Sequence, residues 1–155
     1  MKHAKGDLLK MARNGNFNII VQGCNCFCTM GSGIARQIRE EYPQAYTADC
    51  TTAPGDRNKL GTYSFAAAEN FLIINAYTQF GFNKGGESSD VFEYTAFKLI
   101  LEKLYYFHGA NHFGFPYIGM GLAGGDKTRI IEMLEEFSQQ VEAKGGTVTL
   151  VEFAQ

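Results

Sequence analysis

Ile19-Ile20-Val21-Gln22-Gly23-Cys24-Asn25-Cys26-Phe27-Cys28-Thr29-Met30-Gly31-Ser32-Gly33-Ile34-Ala35 is the stretch whose reading decides the fold. It opens as an apolar, β-branched run, the pattern of a buried strand. It then passes through small and polar residues into Gly31-Ser32-Gly33, and residues 34–42 follow as a helix. A strand, a glycine loop and a helix start are the parts of an anion site. The glycines let backbone N–H groups approach a phosphate, and the helix start adds unpaired N–H groups and partial positive charge. Alone, this pattern is common among α/β proteins. A second copy strengthens it: Pro116-Tyr117-Ile118-Gly119-Met120-Gly121-Leu122-Ala123-Gly124-Gly125-Asp126 follows a strand-like run at 113–118 and precedes a helix at 127–144. Two such loops can lie side by side beyond the strand ends of an open sheet, where α/β proteins bind ligands. The pair reads as two walls of one phosphate-holding pocket.

On either side of these loops, strands and helices alternate. Residues 2–5 suit an edge strand, and Asp7 is placed to cap a helix that Asn14-Gly15 ends. Ile34, Ile38 and Tyr42 fall at helical spacing, and Pro43 ends or bends that helix. Residues 44–50 read as a further short helix, and Pro54-Gly55-Asp56 as a turn. Strands are expected at 60–67 and 71–77, the second apolar enough to be covered on both faces. A loop at 78–89 follows. Asp90 with Glu93 resembles a capping box ahead of a helix burying Phe97, Ile100, Leu101 and Leu104. The next strand is expected at 111–118. A helix with Ile130, Leu134, Phe137 and Val141 on one face stops at Lys144-Gly145-Gly146, and the last strand is 147–153. Phe80, Phe82, Tyr105, Tyr106 and Phe107 read as core or pocket lining. No domain-scale linker or repeat interrupts residues 1–155, so a single domain is expected, a three-layer α/β/α sandwich with a mixed central sheet.

Of the 155 residues, 45% are hydrophobic and 19% charged, enough apolar surface for a globular core. A formal net charge of −2 argues against a broad electrostatic grip on nucleic acid or on an anionic membrane. No run has the roughly 18 apolar residues of a membrane helix. The first residues carry no apolar signal core, so a cytoplasmic protein is expected. Cys24, Cys26 and Cys28 alternate as Cys-x-Cys-x-Cys and Cys50 stands apart; this is not a zinc spacing, and His3, His108 and His112 are scattered. Neither metal nor cofactor is expected, and the cysteines read as reduced thiols acting as small residues. A cysteine nucleophile has no neighbouring His in sequence to activate it.

Four pieces together resemble the macrodomain family: Lys5-Gly6-Asp7-Leu8, Val21-Gln22-Gly23-Cys24-Asn25-Cys26, Gly31-Ser32-Gly33-Ile34-Ala35, and Ile118-Gly119-Met120-Gly121-Leu122-Ala123-Gly124-Gly125-Asp126. Their order and spacing cover nearly the whole chain. The resemblance implies ADP-ribose as ligand. Asp7, beside Leu8, would accept the adenine amino group, and Phe153 would pack on the base. Gly31, Ser32, Gly33 and Ile34 would wrap one phosphate and its ribose. Gly119, Met120, Gly121, Leu122 and Ala123 would hold the other side of the diphosphate, and Asn25 the distal ribose. Cys24-Asn25-Cys26, the Gly31 loop and Tyr42-Pro43-Gln44-Ala45 look most like the ADP-ribose-1″-phosphate phosphatase branch. The Gly121–Asp126 phrase is also similar to the branch that removes ADP-ribose from acidic side chains or DNA. That branch places a Lys after the strand at 71–77, where this chain has Thr78-Gln79-Phe80; Lys84 lies beyond the motif.

For hydrolysis of a terminal phosphate, a water must be placed and the leaving oxygen stabilised. Asn25 is the candidate for orienting the distal ribose; Gln22 and Asp126 are candidates for placing water, and of these only Asp126 is a general base. Each also has a plainer reading: Asp7 and Asp126 as helix caps, Asn25 and Gln22 as structural residues. Three readings stay open: phosphatase, hydrolase acting on ADP-ribosylated protein or another macromolecule, and a reader without turnover. No long apolar stripe demands a partner chain, so a monomer is expected.

Overall fold

The computed structural model describes residues 1–81 and 154 back to 91 as a mixed sheet covered by helices on both faces. The strands are β1 (Lys2–Gly6), β2 (Ile19–Cys24), β3 (Tyr63–Ala67), β4 (Leu72–Tyr77), β5 (His112–Phe115) and β6 (Thr147–Phe153). The helices are α1 (Leu8–Arg13), α2 (Gly33–Glu41), α3 (Pro43–Cys50), α4 (Tyr94–His108) and α5 (Lys127–Ala143), with a 3-10 turn at Arg57–Lys59. The sheet order is β1-β6-β5-β2-β4-β3. Every neighbouring pair is parallel except β3 with β4. From β2 the chain first builds β3 and β4 on one side, then crosses to β5 on the other. The crevice between the carboxyl ends of β2 and β5 is therefore a topological switch point, and both glycine loops leave from it.

Strand alternation divides the core into two layers. Ile19, Val21, Ile74, Phe113, Phe115, Val148 and Leu150 face α4 and α5, whose Phe97, Ile100, Leu104, Ile130, Leu134, Phe137 and Val141 are buried against them. Ile20, Ile73 and Val151 face the opposite layer, where Leu9, Ile38 and Ala45 from α1, α2 and α3, with Tyr42 at the junction of α2 and α3, cover them. The α/β/α sandwich and both long helical stripes are as the sequence predicts.

Boundaries differ where proline or a tight turn intervenes. β5 ends at Phe115 because Pro116 has no N–H for the ladder. α3 begins at Pro43, which has no first-turn donor to lose, rather than at residue 44. The strand expected from residue 60 starts at Tyr63, after the 3-10 turn. Tyr106 and Phe107 are exposed on α4 rather than lining core or pocket, their rings touching each other edge-on at 4.9 Å. Phe82, Lys84 and the Asp90 half of the expected capping box lie outside the described residues. No helix among the described residues is long and apolar enough to cross a membrane.

Candidate functional site

Two cavities open beyond the carboxyl ends of β1, β6, β5 and β2. One, of about 380 Å³, is walled by Gly23, Cys24, Asn25, residues 29–32 and, from the second loop, Leu122 and Ala123. The other, of about 440 Å³, is mostly apolar, with Asp7, Leu8, Ile34, Tyr117 and Phe153 in its wall. They meet along the first loop: Gly31 and Ser32 wall the Asn25 cavity, and Gly33 and Ile34 wall the Asp7 cavity. That seam is the start of α2. Ser32 is extended and its side chain makes no cap bond. The N–H groups of the first helical turn have no intrahelical acceptor, and the helix dipole adds positive potential there.

The loop before this seam is held in an unusual shape. Cys28 (φ 61°) and Met30 (φ 40°) both lie in the left-handed region, a cost of about 1–3 kcal/mol each. Several contacts fix it. Asn25 Oδ1 accepts the Phe27 N–H at 2.8 Å, and Asn25 Nδ2 donates to Thr29 Oγ1 at 2.6 Å. Arg39 donates to the Thr29 carbonyl at 3.2 Å. A disulfide joins Cys28 to Cys50 at the end of α3, with Cα atoms 5.3 Å apart. This corrects the expectation of reduced thiols for that pair: residues 22 apart in sequence meet within bridging distance only once α3 has folded back. Cys24 and Cys26 are free and buried.

The sequence candidates separate clearly. Asn25 walls its cavity and closes its loop at once. Asp7 walls the second cavity while its Oδ1 caps α1 by accepting the Lys10 N–H at 3.1 Å, and Gln37 donates to its other oxygen at 3.4 Å. Leu8, Gly31, Ser32, Gly33, Ile34, Leu122, Ala123 and Phe153 are also at cavity walls. Gly119, Met120 and Gly121 are not: Met120 packs on the core, and Gly119 accepts the Gly125 N–H at 2.8 Å within the second loop. Asp126 is exposed and away from both cavities, because as N-cap of α5 its carboxylate turns back to the Arg129 N–H at 3.2 Å. Gln22 lies beneath the wall, 1% exposed, donating to Asn75 Oδ1 at 2.9 Å. Neither position suits placing a water in the Asn25 cavity. Among the described residues no group of three or more His, Cys, Asp or Glu is arranged to hold a metal.

Sequence reasoning missed one residue of this cavity's wall and the two that hold it from behind. Asp49, 1% exposed, is part of its wall. Tyr77 donates its hydroxyl to Asp49 Oδ1 at 2.8 Å, and Lys59 Nζ stands 4.0 Å from the same oxygen. Lys59 also donates to the Cys26 carbonyl at 3.3 Å and lies 4.4 Å from the Tyr77 ring centre. Burial pushes the Asp49 carboxyl above its usual value, against the opposing pull of Tyr77 and Lys59. Burial likewise raises the Tyr77 phenol, which stays a donor. One signal was available in the sequence: Asp49 falls in the last turn of a helix, where the dipole disfavours a carboxylate.

Cys24 also belongs to this wall, and its burial, with Asp49 nearby, holds the thiol well above its ordinary value. The thiolate is the reactive form. Native protein at pH 8 is therefore expected to leave Cys24 unalkylated by iodoacetamide over times that label the urea-unfolded chain fully. Fast native labelling, read by peptide mass, would contradict this placement.

No family model matches the chain. It is 34% identical to an uncharacterised 17.5 kDa protein of the tk-vs intergenic region of Enterobacteria phage T4, over 92% of each chain. Its structure is similar to the macrodomain of Mycobacterium tuberculosis DarG, with 22% identity, a TM-score of 0.72 and coverage of 99% of this chain and 97% of that one. It is also similar to Thermosipho africanus DarTG solved in complex with ADP-ribose, with 13% identity, a TM-score of 0.72 and coverage of 99% of this chain and 42% of that one. The chain belongs to the family of the phage T4 17.5 kDa protein, and its fold is that of the macrodomains.

Proposed function

We propose that this protein binds ADP-ribose across the two cavities and hydrolyses ADP-ribose-1″-phosphate to ADP-ribose and phosphate. The observation that carries this reading is the seam between them. The α2 start, with its unpaired N–H groups, lies between an apolar cavity walled by the Asp7 carboxylate and a cavity of mixed lining that holds Asn25. A diphosphate fits such a helix start. The adenine then enters the apolar cavity, where the Asp7 carboxylate accepts its amino group and Phe153 covers its face. The distal ribose reaches Asn25, with Leu122 and Ala123 closing over the diphosphate. The macrodomain fold and the ADP-ribose complex of the Thermosipho protein support the ligand class.

A terminal phosphate on the distal ribose would stand in the Asn25 cavity, whose wall carries the Asp49 carboxylate. Gln79 occupies this wall where the lysine-dependent branch has its Lys nearby, and this favours the phosphatase reading over attack on an opened ribose. The test is phosphate release from ADP-ribose-1″-phosphate, followed by a colorimetric phosphate assay. Release that saturates with substrate is expected. ADP-ribose binding without release would replace the phosphatase with a reader or with a hydrolase acting on ADP-ribosylated protein.

The seam makes its own prediction. A Cβ at Gly31 meets nothing within 4 Å, so Gly31→Val is expected to leave the melting temperature nearly unchanged. The added bulk beside the phosphate path should weaken ADP-ribose binding at least about tenfold, or roughly 1.4 kcal/mol. A thermal melt checks the first half and calorimetric titration the second; unchanged affinity would remove the first loop from the binding site.

A further inference from the structure

The buried polar side chains under the Asn25 cavity form one directed chain. Gln22 Nε2 donates to Asn75 Oδ1 at 2.9 Å, and Asn75 Nδ2 donates to Ser64 Oγ at 3.0 Å. Ser64 and Tyr77 hydroxyls are 2.8 Å apart. An ionised carboxylate only accepts, so Tyr77 must spend its proton on Asp49 and accept from Ser64. The carboxylate at the cavity end thus sets the direction of the two hydroxyl steps, and the amide donors of Gln22 and Asn75 run the same way. Both groups that hold Asp49, Tyr77 and Lys59, approach Oδ1, while Oδ2 makes no hydrogen bond among the described residues. Such a pair is an expensive way to stabilise a fold, because desolvating two charges tends to outweigh their attraction. It is placed, moreover, at the helix end that disfavours it. Local rules broken at a cavity wall mark a group retained for chemistry.

We propose that Asp49, held by Tyr77 and Lys59 in the wall of the Asn25 cavity, is the general base of the hydrolysis, and that Gln22, Asn75 and Ser64 are positioning residues acting through Tyr77. The inference rests on the phosphatase reading above. The water oxygen bonds to phosphorus as the P–O1″ bond breaks. Asp49 takes the water proton and returns it to O1″, giving ADP-ribose and inorganic phosphate with Asp49 again a carboxylate. Lys59 keeps the carboxylate ionised in its buried position.

The experiment is steady-state phosphate release from ADP-ribose-1″-phosphate by wild type, Asp49→Asn, Tyr77→Phe and the double variant Asp49→Asn/Lys59→Met, with calorimetric ADP-ribose affinity for each. General-base removal predicts that Asp49→Asn loses turnover by about 10²–10⁴-fold while its affinity for ADP-ribose stays near wild type. Tyr77→Phe should lower kcat more than it changes KM. It should also move the acid limb of the pH profile upward, since the lost hydrogen bond favoured the charged carboxylate. The double variant removes the unpaired Lys59 charge, so its stability should recover while its turnover stays lost; restored turnover would make Asp49 structural and overturn the proposal. An active Asp49→Asn overturns it while leaving the phosphatase reading intact. An inactive wild type that still binds ADP-ribose overturns both.

Discussion

Lys59→Met is expected to destabilise the protein by about 3–5 kcal/mol above neutral pH, the range for removing one partner of a buried ion pair. Lys59 is 6% exposed, 4.0 Å from Asp49 Oδ1, and surrounded by the Tyr77 ring and the Cys26 carbonyl. Methionine keeps most of the stem volume, so packing changes little and the loss is electrostatic. The defect must then depend on pH with a definite sign. Burial already raises Asp49 in the folded state, and Lys59 opposes that rise. Without Lys59 the folded value climbs further above the unfolded one. A carboxyl raised on folding binds its proton more tightly in the native state, so native stability falls as pH increases from the unfolded value through the folded one. The deficit of the variant should therefore shrink toward acid pH and reach its full size once Asp49 is ionised. Urea unfolding across a pH series measures it. A deficit that stays constant, or grows on acidification, would show that Lys59 stabilises by packing and not by its charge.

Gly119→Ala is expected to cost about 2–4 kcal/mol, from left-handed strain and overpacking together. Gly119 has φ +73°, and a Cβ there would stand inside contact distance of the Phe92 ring. Phe92 has little room to move. It is 4% exposed, touches Phe97 and Tyr94 edge-on, and donates its N–H to the Ala123 carbonyl at 3.1 Å. The second loop is thus folded over an aromatic side chain, and its first glycine serves that packing. For a chain of this size the loss corresponds to a melting temperature roughly 5–15 °C lower. Gly121→Ala is the matched control, since a Cβ at Gly121 meets nothing within 4 Å. Equal melting temperatures for the two variants would contradict the assignment of Gly119 to packing.

The long helices were legible because each carries one apolar stripe: Phe97, Ile100, Leu101 and Leu104 on α4, and Ile130, Leu134, Phe137 and Val141 on α5, are all buried. The glycine loops were legible as loops, since strand, glycine and helix follow one another in sequence. Their division of labour was not. Whether a helix start is open or filled depends on where the N-cap side chain turns, and Ser32 leaves α2 open while Asp126 fills α5. Asp126 reads equally well from sequence as cap or base; only its geometry decides for the cap. The Cys28–Cys50 bridge and the Asp49–Lys59–Tyr77 group each join residues from separate elements, at spacings that follow no motif. Periodicity reports one element at a time and is blind to such meetings. For Asp49 the visible hint was a misfit, an acidic residue at the wrong end of a helix.

The measurement that bears most directly on the central claim is a calorimetric titration of the protein with ADP-ribose. Saturable binding of one equivalent in the micromolar range, weakened by Gly31→Val and by Asp7→Ala, is the predicted result. No heat and no saturation at millimolar ADP-ribose would contradict it, leaving a macrodomain fold whose two cavities serve another ligand.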